Sequence, residues 1–204
     1  MEKYKARIGF TQRSSLVIGI HELDEATKRL ELLFSETDID QALTVVAGNI
    51  ERDLSDDQPV FICVLNGAMM VYGRLMTKLS MPLQMDYAHA TRYGDAQHGG
   101  DIVWHSYPSC SLEGRTVVLV DDVLEGGVTL SEIAKHCYDK GATMVKTMVL
   151  VEKNMPRLPG GVKTADYSAF VTENDFLVGF GLDYKGFLRN TNQVFVLKND
   201  DGGS

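Results

Sequence analysis

The chain has no apolar run long enough to cross a bilayer, which excludes a helical membrane span. The first stretch, residues 1–19, carries scattered charges and no apolar core, so no ordinary secretory signal is expected. Cysteine is scarce. Cys63, Cys110 and Cys137 are odd in number and lack metal-ligand spacing, which points to reduced thiols in a cytoplasmic protein, each a small buried hydrophobe. Positive charge is also short: 20 Lys and Arg against 28 Asp and Glu leave a net charge of -8, which argues against a nucleic-acid partner held by phosphate neutralisation. His21, His89, His98, His105 and His136 form no ligand-spaced pair and are assigned no chemistry. There is no Gly-Lys-Ser or Gly-Lys-Thr, and no Gly-x-Gly-x-x-Gly opens a helix after the first strand, so kinase-type and dinucleotide readings lose their main support. Internal repeats and low-complexity tracts are absent as well.

What is present is an ordinary soluble composition, 44% hydrophobic and 24% charged over 204 residues, enough for one core with a smaller appendage. The most informative stretch is 116–130. Residues 117–120 are apolar and mostly β-branched, as in a parallel strand covered on both faces, and the run stops at Asp121 and Asp122. Glu125, Gly126 and Gly127 form a turn. Beyond it Leu130, Ile133, Ala134, Cys137 and Tyr138 recur at helical spacing, so a helix is expected from about Thr129. A ligand in such a unit sits outside the carboxyl end of the strand, where the helix N-terminus offers unpaired N–H groups to an anion.

Elsewhere, residues 1–35 show no strong period and read as an N-terminal extension with a short helix over 24–33. Ile39, Leu43, Val46, Ala47, Ile50 and Leu54 predict an amphipathic helix over 38–54, followed by a buried strand over 60–65. A second helix has Met69, Val71, Tyr72, Leu75, Met76 and Leu79 as its apolar face. Strands are expected over 82–93 and 102–107, flanking a glycine-rich mobile loop, and over 145–151. Alternating strands and helices imply an α/β, three-layer Rossmann-like fold with a mostly parallel sheet, the core running over 36–155. After Pro156 three short strand candidates without long helices read as a small hood over 156–198, and 199–204 as a frayed, disordered tail.

Three buried strands deliver polar groups where their apolar runs stop: Leu65-Asn66-Gly67-Ala68, Asp121-Asp122, and Glu152-Lys153. In a parallel sheet these ends share one edge and converge on one cleft. Carboxylates beside an anion-binding turn are reconciled by a phosphorylated sugar, whose phosphate meets N–H groups while its vicinal hydroxyls donate to the acids. A diphosphate would bring Mg²⁺, which reduces repulsion from the acids.

The run Val118-Leu119-Val120-Asp121-Asp122-Val123-Leu124-Glu125-Gly126-Gly127-Val128-Thr129 closely resembles the phosphoribosyl diphosphate signature of the type I phosphoribosyltransferases, and the resemblance extends over about 39–197, nearest the hypoxanthine-guanine branch. It implies a parallel-sheet core with a hood, and assigns Leu65, Asn66, Gly67, Asp121, Asp122, Glu125, Gly126, Gly127, Val128, Thr129 and Arg189 to phosphoribosyl diphosphate. Leu65-Asn66 would carry a cis peptide. By the same resemblance Glu125 is catalytic, with Arg92 and Tyr93 in a mobile loop that excludes water. Lys153 reads the purine 6-oxo group, Phe176 and Leu177 line the purine, and Asp121, Asp122 and Asp183 stand at Mg²⁺.

Four positions depart from the family pattern: Glu125 for an aspartate, Gly126 for a threonine, Asn66 for a lysine and Arg92 for a serine. They bear on rate and substrate preference rather than fold. The resemblance thus implies transfer of a phosphoribosyl group to hypoxanthine or guanine in purine salvage, with a homo-dimer or homo-tetramer expected and the Tyr72 or Trp104 face suiting an interface. Two other readings remain: a non-catalytic phosphoribosyl-diphosphate-binding regulator, or an enzyme for another base such as xanthine.

Overall fold

The computed structural model describes residues 19–92 and 102–198. In chain order the elements are α1 (Ile20–Lys28), β1 (Leu30–Phe34), α2 (Glu36–Leu54), β2 (Val60–Leu65), α3 (Met69–Met76), β3 (Gln84–Arg92), β4 (Ile102–Ser106), β5 (Thr116–Leu124), α4 (Val128–Asp139), β6 (Met144–Lys153), β7 (Tyr167–Thr172), β8 (Leu177–Val178) and β9 (Val194–Leu197). The main sheet has the order β4-β3-β2-β5-β6-β7 and is parallel except for β4. A small antiparallel sheet, β1-β9-β8, forms the hood.

The strand order reverses between β2 and β5. From β2 the chain passes through α3 to β3 on one side, and from β5 through α4 to β6 on the other. Right-handed crossovers running in opposite directions place α3 and α4 on opposite faces, which gives the three layers. They also leave a crevice at the carboxyl ends of β2 and β5. The strands beneath it are the most apolar of the chain: Phe61, Ile62, Val117, Val118, Leu119, Val120, Met148 and Val149 are wholly buried. The long helix α2 begins with a capping box, Ser35 accepting from the Asp38 N–H at 3.2 Å while Asp38 accepts from the Ser35 N–H at 2.9 Å.

Several sequence expectations need correction. The segment assigned to an N-terminal extension holds a helix that ends at Lys28 and a strand, β1, whose partner β9 lies at the far end of the chain. Five residues without clear alternation carry no signal for so distant a pairing. Strand β7, expected in the hood, is the parallel edge strand of the main sheet. The crossover over 154–166 contains no helix, so the usual marker of a parallel neighbour is missing. Asp166 pins that edge, accepting from the Thr147 N–H at 2.8 Å, and the Tyr167 hydroxyl donates to Asp53 of α2 at 3.2 Å. The Phe34 and Phe170 rings stack at 3.7 Å and join β1 to the same edge.

Met69 is exposed rather than packed, whereas Tyr72 is buried and donates to the Phe61 carbonyl at 3.0 Å, which removes it from any interface. Trp104 packs partly buried against the core and stacks on Tyr107 at 4.5 Å. Among the described residues no helix is long and apolar enough to cross a membrane. Tyr93 and the glycine-rich loop expected as a lid lie outside the described residues, as do residues 1–18 and 199–204.

The connection from β4 to β5 is tied down by Asp86 of β3, which accepts from the N–H groups of Ser109 at 2.7 Å, Cys110 at 2.8 Å and Tyr87 at 2.8 Å. Burial acts to raise the Asp86 pKa, but the backbone donors of Cys110, Tyr87 and Ser109 outweigh it and hold the carboxyl below its ordinary value. Replacing it by Asn is expected to cost about 1–3 kcal/mol of unfolding free energy in urea at neutral pH. Because the folded pKa is depressed, the stabilisation is present above the unfolded value of about 3.9 and is lost as pH falls through the lower folded value. The gap between wild type and Asp86→Asn should therefore narrow in acid, and a gap independent of pH would contradict this role.

Candidate active site

Three pieces of chain meet at the crevice. At the end of β2 the Leu65–Asn66 peptide is cis, and Gly67 follows. A Cβ on Gly67 would lie 2.0 Å from Asp122 Oδ2, so a side chain here would push the Asp122 carboxylate aside. From the hood Gly181, at φ +105°, approaches so closely that its Cβ would lie 2.0 Å from the Gly67 carbonyl oxygen. Arg189 donates to the Gly181 carbonyl, pairs with Asp183 Oδ1 at 2.6 Å and stands 4.0 Å from Asp122 Oδ2. Asp183 Oδ2 also accepts from the Gly186 N–H at 2.6 Å. The hood thereby brings one cation and one more acid to the acidic end of β5.

The acids are themselves held by backbone. Asp121 Oδ1 accepts from the Asp122 N–H and Asp122 Oδ1 from the Val123 N–H, each at 2.9 Å. Burial, then the charge of Asp122, pushes the Asp121 carboxyl well above the usual range, and burial also raises Asp122. Such a pair favours ligands that donate hydrogen bonds or carry a cation, since both relieve buried negative charge. Past Glu125, Gly127 adopts φ +76° and begins α4 without a capping side chain, leaving the first-turn N–H groups for a ligand. A Cβ at Gly127 would lie 2.5 Å from the Val162 carbonyl oxygen. The turn is braced from behind, with Leu158 N–H donating to Gly126 and Val162 N–H to Gly127, each at 3.1 Å. The result is a cleft of about 560 Å³ with donors at one end and carboxylates at the other.

Residues 35–185 match the phosphoribosyl transferase domain family. The chain belongs to that family. It is 28% identical to the hypoxanthine-guanine-xanthine phosphoribosyltransferase of Tritrichomonas foetus over 82% of this chain and 91% of that protein. It is 29% identical to the hypoxanthine-guanine phosphoribosyltransferase of Streptococcus thermophilus over 83% of this chain and 94% of that protein. Among solved structures, a point variant of the hypoxanthine phosphoribosyltransferase of Trypanosoma cruzi in complex with the product IMP superposes with a TM-score of 0.76 at 27% identity, covering 84% of this chain and 93% of that one.

In this phosphoribosyltransferase, Leu65, Asn66, Gly67, Asp121, Asp122, Glu125, Gly126, Gly127, Val128, Thr129, Asp183 and Arg189 all line the one cleft. Lys153, Phe176 and Leu177 do not. Lys153 is buried, and its ammonium is paired with the Glu125 carboxylate rather than open to the cleft. Phe176 is exposed on the hood, edge-on to Tyr184, and Leu177 is buried in it. Arg92 is the last residue of β3. Thr91, read with Arg92 as the start of the loop, also lines the cleft, and sequence reasoning missed His89, Met155, Pro156 and Leu158 in its walls. His89 was set aside for lack of ligand spacing, yet the alternation of β3 carries it to the same sheet edge. Its ring lies 4.6 Å from that of His105, and burial, then His105, lowers its pKa.

Among the described residues no group of three or more His, Cys, Asp or Glu could hold a metal unaided. The chemistry of the cleft nonetheless fits Mg²⁺ carried in by a diphosphate. Carboxylate oxygens of Asp121, Asp122 and Asp183 are hard ligands, and Mg²⁺ ordinarily keeps waters and substrate oxygens for the rest of its shell.

Gly67→Ala is expected to displace the Asp122 carboxylate, lowering Tm by several degrees and weakening phosphoribosyl diphosphate binding by about tenfold or more. Calorimetry and thermal unfolding measure both. Unchanged values would mean that the Gly67–Asp122 approach is dispensable.

Proposed function

We propose that this phosphoribosyltransferase acts in purine salvage, moving the phosphoribosyl group of phosphoribosyl diphosphate to N9 of hypoxanthine or guanine and releasing diphosphate. The observation that carries this reading is the cleft's polarity: uncapped helix N–H groups at 127–129 stand beside the half-buried pair Asp121 and Asp122. One ligand satisfies both ends, a ribose with a 5′-phosphate and free hydroxyls. The names of the relatives, and the IMP bound to the Trypanosoma cruzi protein, support a 6-oxopurine as acceptor.

In the reaction the C1–O bond of the ribose breaks, its electron pair leaves with diphosphate, and C1 becomes cation-like before N9 bonds to it. The Asp121 and Asp122 carboxylates accept from the ribose hydroxyls and hold the ring under the base. Their charge also favours the developing cation. Arg189, already between Asp122 and Asp183, moves its hydrogen bonds onto the departing diphosphate. Mg²⁺, when bound, neutralises diphosphate charge and so makes it a better leaving group.

Glu125 and Lys153 serve the purine together. Lys153 donates to the 6-oxo oxygen, which disfavours an amino group at that position. Glu125 accepts the ring proton that the purine loses as N9 bonds to C1. For the base to enter, their mutual ion pair opens, and the purine's oxygen and ring N–H take over its two halves. The same ion pair favours a second reading, a non-catalytic sensor in which Lys153 remains occupied and only the sugar diphosphate binds. Xanthine, accepted by the Tritrichomonas protein as its name states, is the third base to test.

Incubation with Mg²⁺, phosphoribosyl diphosphate and a panel of bases, followed by chromatography, should yield IMP and GMP. Binding of phosphoribosyl diphosphate with no nucleotide from any base would establish the sensor reading instead. Glu125→Gln should lower kcat by about 100-fold, as expected when a proton acceptor is removed, and flatten its pH profile. Full activity across pH in that variant would remove Glu125 from proton transfer.

A further inference from the structure

Arg157 does not line the cleft, yet it makes the densest set of polar contacts around it. Its side chain is only 7% exposed and is paired at 2.9 Å with Glu152, itself 14% exposed. The Nη1 hydrogens are shared among the carbonyls of Lys153 at 2.7 Å, Glu125 at 3.0 Å, Leu124 at 3.3 Å and Met155 at 3.4 Å, and Nε donates to the Lys163 carbonyl at 3.1 Å. Paired residues of β5 and β6 run up to Leu124 opposite Glu152. At that pair β5 and β6 stop pairing with each other, and one guanidinium gathers carbonyls from the ends of both.

We infer that Arg157 is a positioning residue for the purine half of the cleft, an inference that rests on the function proposed above. By holding the carbonyls of Glu125 and Lys153 on one nitrogen, it fixes the spacing of the two side chains proposed to meet the base. The phosphate half is held by main-chain hydrogen bonds from the segment after Arg157, and the guanidinium is not a partner in them. Gly126 and Gly127 are held by the N–H groups of Leu158 and Val162, and Asp121 and Asp122 lie within β5. Loss of the fork therefore loosens the base side more than the sugar side. A lysine cannot replace it, because a single ammonium has no planar fork of donors and cannot reach Glu152, Lys163 and the shared carbonyls together.

The test uses full-length Arg157→Lys, which keeps the buried charge beside Glu152, with Glu152→Gln as a second variant that keeps the arginine and its carbonyl contacts. Wild-type turnover on the base panel judges the proposed function by itself. For Arg157→Lys the base KM should rise about tenfold while the phosphoribosyl diphosphate KM changes less than threefold, and amide exchange at 123–124 and 152–153 should quicken. Glu152→Gln should stay within threefold of wild type on both KM values. Equal rises in both KM values, or wild-type KM values with unchanged exchange, would overturn the inference. If the wild type makes no nucleotide, the exchange comparison still decides it: faster exchange confined to those strand ends supports the clamp, and unchanged exchange overturns it.

Discussion

The cleft depends on one close approach, the backbone of Gly67 passing the carboxylate of Asp122 with no room for a Cβ between them. The β2–β5 ladder sets the two strand ends side by side where the strand order reverses, and that contact lets them approach this closely. The contact also sets the position of the hood, because Gly181 rests on the Gly67 carbonyl and Arg189 reaches from there toward Asp122. Sheet, turn and hood are thus referenced to a single glycine. The fold places the crevice, and this contact brings opposite charges into it at defined positions.

The electrostatics follow from that placement. Two neighbouring acids at the end of an apolar strand are costly, and burial accordingly raises both carboxyls. Their cost is offset only in part by the Asp122 and Val123 N–H groups and by Arg189. On the other side of the turn, the first turn of α4 presents uncapped donors. Each half is incomplete without a ligand, and the two deficiencies are complementary to one molecule with phosphate groups and hydroxyls. Lys153 and Glu125 differ in this respect, because each satisfies the other.

Much of this was legible from the residues. Continuous apolar runs at 60–65 and 117–120, rich in β-branched residues and alternating with helical patterns, identify buried parallel strands, and the polar exits from those strands locate the cleft. Arg189 and Asp183 were placed only through the resemblance, and the structure carries both into the cleft. What was not legible depended on long-range pairing. β1 is too short to show a period and finds its partner at the other end of the chain. β7 lacks the helix that usually announces a parallel neighbour. Arg157 lies in an irregular segment and acts on carbonyls, which are the same for every residue type, so no pattern of side chains could reveal its contacts. The Lys153–Glu125 pair escaped for a related reason, as each residue was read at its own strand end without the geometry that joins them.

The most direct measurement is a calorimetric titration of the protein with phosphoribosyl diphosphate in the presence of Mg²⁺, set beside the same titration with inorganic diphosphate and repeated on the double variant Asp121→Asn, Asp122→Asn. The account predicts saturable binding of the sugar diphosphate that the double variant weakens by about tenfold or more, with a smaller effect on diphosphate, which has no ribose hydroxyls for the acids. Absence of binding in the wild type, or equal affinity in the variant, would contradict the assignment of the acidic pair and the glycine turn to one phosphorylated sugar.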